Sequence, residues 1–174
     1  IKNKKVVYTP LLYCEYLEKI YNNSIKYWKY HKDIDILFFG GVNSRRRKIK
    51  YKLLRHNLKV IFRDFNDYVE LIRNINRTKI VLVLYAYDDI NDKKIDHFRI
   101  NLLLSNKIFF IHEKIINDYD IFKDNIIFSK YDNIVNTCLK YLKLTQQERE
   151  GLAIKTYNWI KQNHSFEKYL LNIF

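Results

Sequence analysis

With 174 residues the chain fits one domain and is long enough to bury a sizeable core. Hydrophobic residues make up 48% and charged residues 29%, which excludes a disordered polymer. The formal net charge of +13 admits nucleic acid, anionic membrane or phosphate-bearing ligands as partners.

Glycine and proline are scarce, while Ile, Lys, Asn, Tyr and Phe are abundant. Those five have AT-rich codons, so the Lys and Tyr excess is discounted as functional evidence. Cys14 and Cys138 lie far apart, which argues against a zinc site or disulfide framework and for a reducing compartment. The longest apolar run, 80–87, has the length of a buried strand, and no run reaches membrane-spanning length. The chain opens on Ile1 without a signal-peptide pattern and contains no Met, and so reads as a piece of a longer, cytoplasmic product.

In chain order, residues 4–8 suggest a short strand. Pro10 then opens a helix carrying Leu11, Leu12, Glu15, Leu17, Glu18 and Ile20. Residues 1–32 are read as a linker or the end of a preceding N-terminal domain. From Asp33 the pattern becomes regular. Apolar runs at 36–39, 58–62, 80–85, 108–111 and 126–128 each precede a helical pattern, at 44–56, 66–75, 93–105, 114–121 and 131–143. Continuously apolar strands alternating with helices predict an α/β fold: a Rossmann-like parallel sheet of about five strands with helices on both faces, over 33–144. The tail, 145–174, adds C-terminal helices that pack back on the domain or its partner domain. It opens on a capping-box pattern, Thr145 to Glu148, and is interrupted at Asn163-His164-Ser165 before a last short helix from 166.

The stretch Asp35-Ile-Leu-Phe-Phe-Gly-Gly-Val-Asn-Ser-Arg-Arg-Arg-Lys-Ile49 combines an apolar run, a glycine pair, a polar cap and a helix start. With Ser44 as the expected N-cap, Arg45, Arg46, Arg47 and Lys48 fall around the first turn, where the helix dipole disfavours cations. Either an anion sits over that turn, or the arginines point into solvent. From Ser44 to Arg63 there are nine Lys or Arg and no carboxylate. Ligands of such sheets sit beyond the carboxyl ends of the strands, here Gly40-Gly41, Arg63-Asp64, Tyr85-Ala86-Tyr87, His112-Glu113 and Ser129-Lys130. Asp33 with Asp35 opens a strand at the opposite end, and Asp118 with Asp120 lies in a short polar segment, so neither is read as a metal pair. No serine sits on a nucleophile elbow. The missing third glycine argues against a dinucleotide.

The order of these signals resembles the C-terminal, donor-binding half of glycosyltransferases with two facing Rossmann-like domains, the GT-B architecture. It is more closely similar to the CgeB-like and giant-virus branch. The matching motifs are 35–49, 78–88 (TKIVLVLYAYD), 96–107 (DHFRINLLLSNK) and 110–113 (FIHE), with the closing helices of 131–157 and a link-like segment at 8–13. The resemblance implies a nucleotide-sugar-binding domain that takes part in sugar transfer from a nucleoside-diphosphate donor. The donor diphosphate would meet Gly40, Gly41, Asn43 and Ser44, with Arg45 or Arg46 assisting, and Arg99 matches the family's arginine. Glu113 matches its acidic residue after the fourth strand. Asn101 stands where many members hold the donor ribose with glutamate; Asp96, one turn earlier, is a substitute. Tyr85 and Tyr87 are candidates for stacking on the base. The competing readings are an Arg99 ion pair with Asp92 or Asp96, helix capping by Glu113, core packing by Tyr85, and structural roles for His97 and His112.

The resemblance requires no cofactor or metal beyond the nucleotide-sugar substrate. It places the catalytic base and acceptor site largely on an N-terminal domain outside this chain, and leaves catalytic residues unnamed. It makes nucleic acid an unexpected partner and a host cytoplasm or virion the expected location. Two alternatives stand beside it: a non-enzymatic basic module binding nucleic acid, and a degenerate transferase scaffold, motivated by Asn101.

Overall fold

A computed structural model of the chain describes residues 13–25, 31–87, 97–114 and 124–165. Among these residues, β1 (Ile34–Phe39), β2 (Val60–Arg63), β3 (Thr78–Val83), β4 (Phe110–Glu113) and β5 (Ile127–Ser129) pair in parallel in the order β2-β1-β3-β4-β5. The helices are α1 (Glu15–Ile25), α2 (Ser44–Leu54), α3 (Tyr68–Asn76), α4 (His97–Ser105), α5 (Ile134–Leu142) and α6 (Gln146–Asn163). The fold is α/β and Rossmann-like. The strand at 4–8, the helix at 114–121, the last helix from 166, Asp96, Asp118 and Asp120 lie outside the described residues.

Side chains alternate across each strand, so the sheet is apolar on both faces. Leu37, Phe39, Val81 and Val83 face one layer, with Ile72 and Ile75 of α3 and Ile100 and Leu103 of α4. Ile36, Phe38, Ile80 and Leu82 face the other, with Ile49 and Leu53 of α2 and Ile134 and Cys138 of α5. Helix α6 serves both layers, placing Ala153 in the second and Tyr157 and Ile160 in the first. Its capping box forms: Thr145 N donates to Glu148 Oε2 (2.7 Å) and Glu148 N to Thr145 Oγ1 (3.2 Å).

Residues 13–25 are built into this body. Tyr13 and Tyr21 are buried in the first layer, Tyr13 bridges Ser165, and the Tyr157 hydroxyl donates to Glu18.

Strand ends shift from the apolar runs for identifiable reasons. The run at 108–111 begins two residues before β4 because Ile108 closes α4. Lys107 adopts φ +56°, Ile108 N donates to Leu103 O (3.0 Å) and Lys107 N to Leu104 O (3.3 Å), which is a Schellman ending. The run at 80–85 outlasts β3 because side chains, not a neighbouring strand, take the backbone groups of Leu84 and Tyr85.

Candidate functional site

In the order β2-β1-β3-β4-β5 the chain winds from β1 to β2 on one side and then to β3 on the other, and in sheets with such a reversal the ligand crevice lies beyond the carboxyl ends of the two strands, here β1 and β3. The Gly40-Gly41 turn follows β1 at this edge and Leu84-Tyr85-Ala86 follows β3. Gly40 has φ +127°, a conformation that side chains rarely adopt. A Cβ there would also lie 3.2 Å from Arg99 Cζ, so the Arg99 guanidinium rests against the turn. That guanidinium lies over the Phe38 and Phe39 rings, 5.3 and 5.7 Å from their centroids. Gly41 is exposed, and a Cβ on it would meet nothing within 4 Å.

Helix α2 starts directly behind the turn. Its N-cap is Asn43, not the expected Ser44, which is already helical. Asn43 is extended (φ −86°, ψ −179°), and its Oδ1 accepts from Arg46 N (3.0 Å). Its amide nitrogen donates to Ala86 O across the crevice, fixing which residue caps.

The first turn of α2 then ties the strand ends together. Arg46 is 8% exposed and donates from Nη1 to Gly41 O and from Nη2 to Leu84 O, both at 2.7 Å. Arg45 is 7% exposed and meets Glu113, 1% exposed, in a bidentate pair: Nη1 to Oε2 at 2.8 Å and Nη2 to Oε1 at 2.6 Å. Arg45 Nη1 also donates to Tyr85 O (3.2 Å), and Tyr85 N donates to Glu113 Oε2 (3.0 Å). Tyr131, which follows β5, stacks its ring 3.7 Å from Arg45 Cζ and donates its hydroxyl to Arg45 O (2.8 Å).

These contacts explain how a helix can open on cations. The anion over Arg45 is the protein's own Glu113, and carbonyl oxygens take Arg46. Arg47 and Lys48 are exposed. Glu113, expected at the sugar or ribose or as a helix cap, holds Arg45 and the Tyr85 amide.

Tyr85 is half-buried, its ring edge-on to His112 at 5.5 Å, while Tyr87 is 76% exposed. His112 is fully buried between the Tyr85 and Phe128 rings, with Nδ1 2.6 Å from Glu113 O. Asn101 is buried, and its Oδ1 has no hydrogen-bond partner among the described residues. A helix turns about 200° between residues two apart, so Arg99 and Asn101 leave α4 on opposite sides. The structure thus gathers Gly40, Gly41, Asn43, Arg45, Arg46, Arg99, Tyr85 and Glu113 around one crevice, and turns Asn101 away from Arg99. Sequence reasoning missed Tyr131, whose contact with α2 has no local signature.

Among the described residues no cluster of His, Cys, Asp and Glu could hold a metal ion, and no helix is long and apolar enough to cross a membrane.

No protein-family model matches the chain, and no curated protein does. Among solved structures it is similar to the C-terminal domain of a glycosyl transferase group 1 family protein from Francisella tularensis. That likeness has a TM-score of 0.49 and 16% identity, over 87% of this chain and 78% of the other. The N-terminal domain of Candida albicans trehalose-6-phosphate phosphatase gives a TM-score of 0.43 and 16% identity, over 89% of this chain and 38% of that one. The Rossmann-like assignment rests on this chain's own strand order, not on these likenesses.

Proposed function

We propose that the crevice binds the diphosphate of a nucleoside-diphosphate sugar, and that the chain is the donor-binding domain of a glycosyltransferase. The observation that carries this reading is the Arg99 guanidinium laid against the Gly40 turn, beside the N-terminus of α2, with Gly41 open above. Backbone amides, a helix dipole and a guanidinium converge where a diphosphate leaving group gains charge during sugar transfer.

In this reading the roles of the two arginines of α2 divide from that of Arg99. Arg45 and Arg46 hold the segments after β1 and β3 at a fixed separation, and Glu113 acts through Arg45. Arg99, Gly41, Asn43 and Ser44 are the groups placed toward the ligand. Tyr87, exposed at the end of the β3 edge, is the candidate for the base. Asn101 is left out of the diphosphate site because it leaves α4 opposite Arg99. The acceptor site and catalytic base belong to a partner domain, and the CgeB-like or giant-virus affiliation rests on the sequence motifs alone.

Burial of Arg45 and Arg46 also shortens the basic stripe that a polynucleotide would meet, which favours a compact phosphate ligand over nucleic acid.

Calorimetric titration with uridine, guanosine and thymidine diphosphates tests the proposal. Saturable binding to at least one is expected, weakened about tenfold or more by Arg99→Ala, the effect of losing one charge-assisted contact. A folded sample that gives no saturable heat with any of the three would overturn it.

A further inference from the structure

At the opposite, amino end of the sheet lies a small cleft of about 30 Å³. It is formed where β1, β3 and β4 begin and α6 makes its first turns. Lys32, Lys79, Lys107 and Arg149 line it, with Glu150 as the one carboxylate among the lining residues and Gln146 beside it. These residues come from four separate segments of the chain.

The partners of the four cations differ. Lys79 Nζ is 2.7 Å from Asp35 Oδ1, and Lys107 Nζ is 3.8 Å from Glu18 Oε1 and 4.5 Å from the Tyr157 ring centroid. Arg149 is 5% exposed and uses Nη1 alone, donating to Tyr141 O (3.2 Å), Leu142 O (3.5 Å) and Leu144 O. Its Nη2 and Nε make no hydrogen bond among the described residues. Lys32 is half-buried and has neither hydrogen bond nor ion pair among the described residues. Burial pushes its ammonium down to about 8, with Glu150 opposing and Arg149 adding to the shift. Glu150 is exposed and accepts from Gln146 Nε2 (2.7 Å).

Withdrawing an ammonium from water without giving it a partner is unfavourable. Doing so beside an arginine with free donors is more so, unless an anion completes the arrangement. We propose that this cleft is a second anion site, taking a single tetrahedral oxyanion: inorganic phosphate or the terminal phosphate of a monoester. Lys32 and the free donors of Arg149 supply its contacts, and Lys79, held by Asp35, and Lys107, held by Glu18, add charge. The site is independent of the donor site proposed at the carboxyl end of the sheet.

The test is calorimetric titration of the chain with inorganic phosphate and, separately, with phosphoserine, at constant ionic strength set by chloride. Saturable one-site binding is expected. Lys32→Gln should weaken it about tenfold or more, as for the loss of a charge-assisted contact, and Lys107→Gln several-fold through the lost charge. Arg99→Ala should leave it unchanged. Whichever probe binds more tightly identifies the source of the phosphate. Lys107 is exposed, so Lys107→Gln keeps the test open if Lys32→Gln fails to fold. Absence of saturable binding to either probe would overturn the proposal. So would binding that Lys32→Gln and Lys107→Gln leave intact while Arg99→Ala abolishes it, because the anion would then sit at the glycine turn.

Discussion

The two ends of the sheet are both rich in cations, but the cations are used differently. At the carboxyl end the first two cations of the densest basic run of the sequence turn inward: Arg45 is held by Glu113 and Arg46 by two carbonyl oxygens. At the amino end four cations drawn from distant segments surround a cleft, and Lys32 has no partner among the described residues. The difference shows that charge density along a sequence does not locate an anion site. What locates it is which donors remain after the protein's own acceptors are served. At the carboxyl end the two buried arginines are served by the protein's own acceptors, and what faces the proposed ligand is the exposed Gly41 beside the N-terminus of α2.

Breaking the Arg45–Glu113 pair should have the largest effect. Glu113→Ala leaves a buried guanidinium uncompensated and should cost about 3–5 kcal/mol in denaturant unfolding. Replacing both partners with apolar residues, Arg45→Met with Glu113→Leu, should recover most of that loss. If the single and double variants are equally destabilised, the pair is not what fixes this end.

The glycines separate fold from site. Gly40→Ala forces a side chain into a φ of +127° and against Arg99, and should cost about 1–3 kcal/mol. Gly41→Ala meets open space and should change stability by less than about 0.5 kcal/mol. Equal thermal shifts for the two would contradict the turn geometry.

At the amino end the sign of the pH dependence is diagnostic. Burial on folding pushes the Lys32 ammonium down from 10.5 to about 8, so between those values the unfolded chain binds more protons. Stability therefore gains a contribution from Lys32 as pH rises from about 8 to about 10.5. Below that window the charged, buried lysine is a burden. Lys32→Met should then be the more stable protein at pH 7, by on the order of 1–3 kcal/mol, with the advantage shrinking toward pH 10. The groups around it that share the field are Arg149, Glu150, Lys79 and Lys107. A difference that does not change with pH would contradict the assignment. The smallest effect belongs to Arg47→Ala, an exposed position that should stay within about 0.5 kcal/mol of wild type.

The sheet was legible in the sequence because its signals are local. Runs such as 36–39 and 80–85 are apolar on both faces, and Thr145 to Glu148 carries its cap within four residues. What was not legible depends on long-range partners. Arg45 and Glu113 are 68 positions apart, so nothing near Arg45 announced that its anion would be a side chain of the protein. The N-cap moved from Ser44 to Asn43 because Ala86 holds the asparagine from across the crevice. The apolar run at 108–111 could not show that Ile108 belongs to the end of α4. The Lys32 cleft left no trace in the sequence, since its cations are scattered among ordinary lysines.

The chain contains only three glycines, Gly40, Gly41 and Gly151, and this permits a direct test of the central claim. Protein labelled with ¹⁵N at glycine alone should give three amide signals: two from the proposed donor turn, and one from α6 beside Glu150 of the amino-end cleft. Titrated with the nucleoside diphosphate that binds most tightly, the Gly40 and Gly41 signals should move together along one saturation curve, and Arg99→Ala should shift that curve to higher concentration. If binding saturates while both signals stay in place, the diphosphate does not sit at the glycine turn and the proposed donor site is wrong.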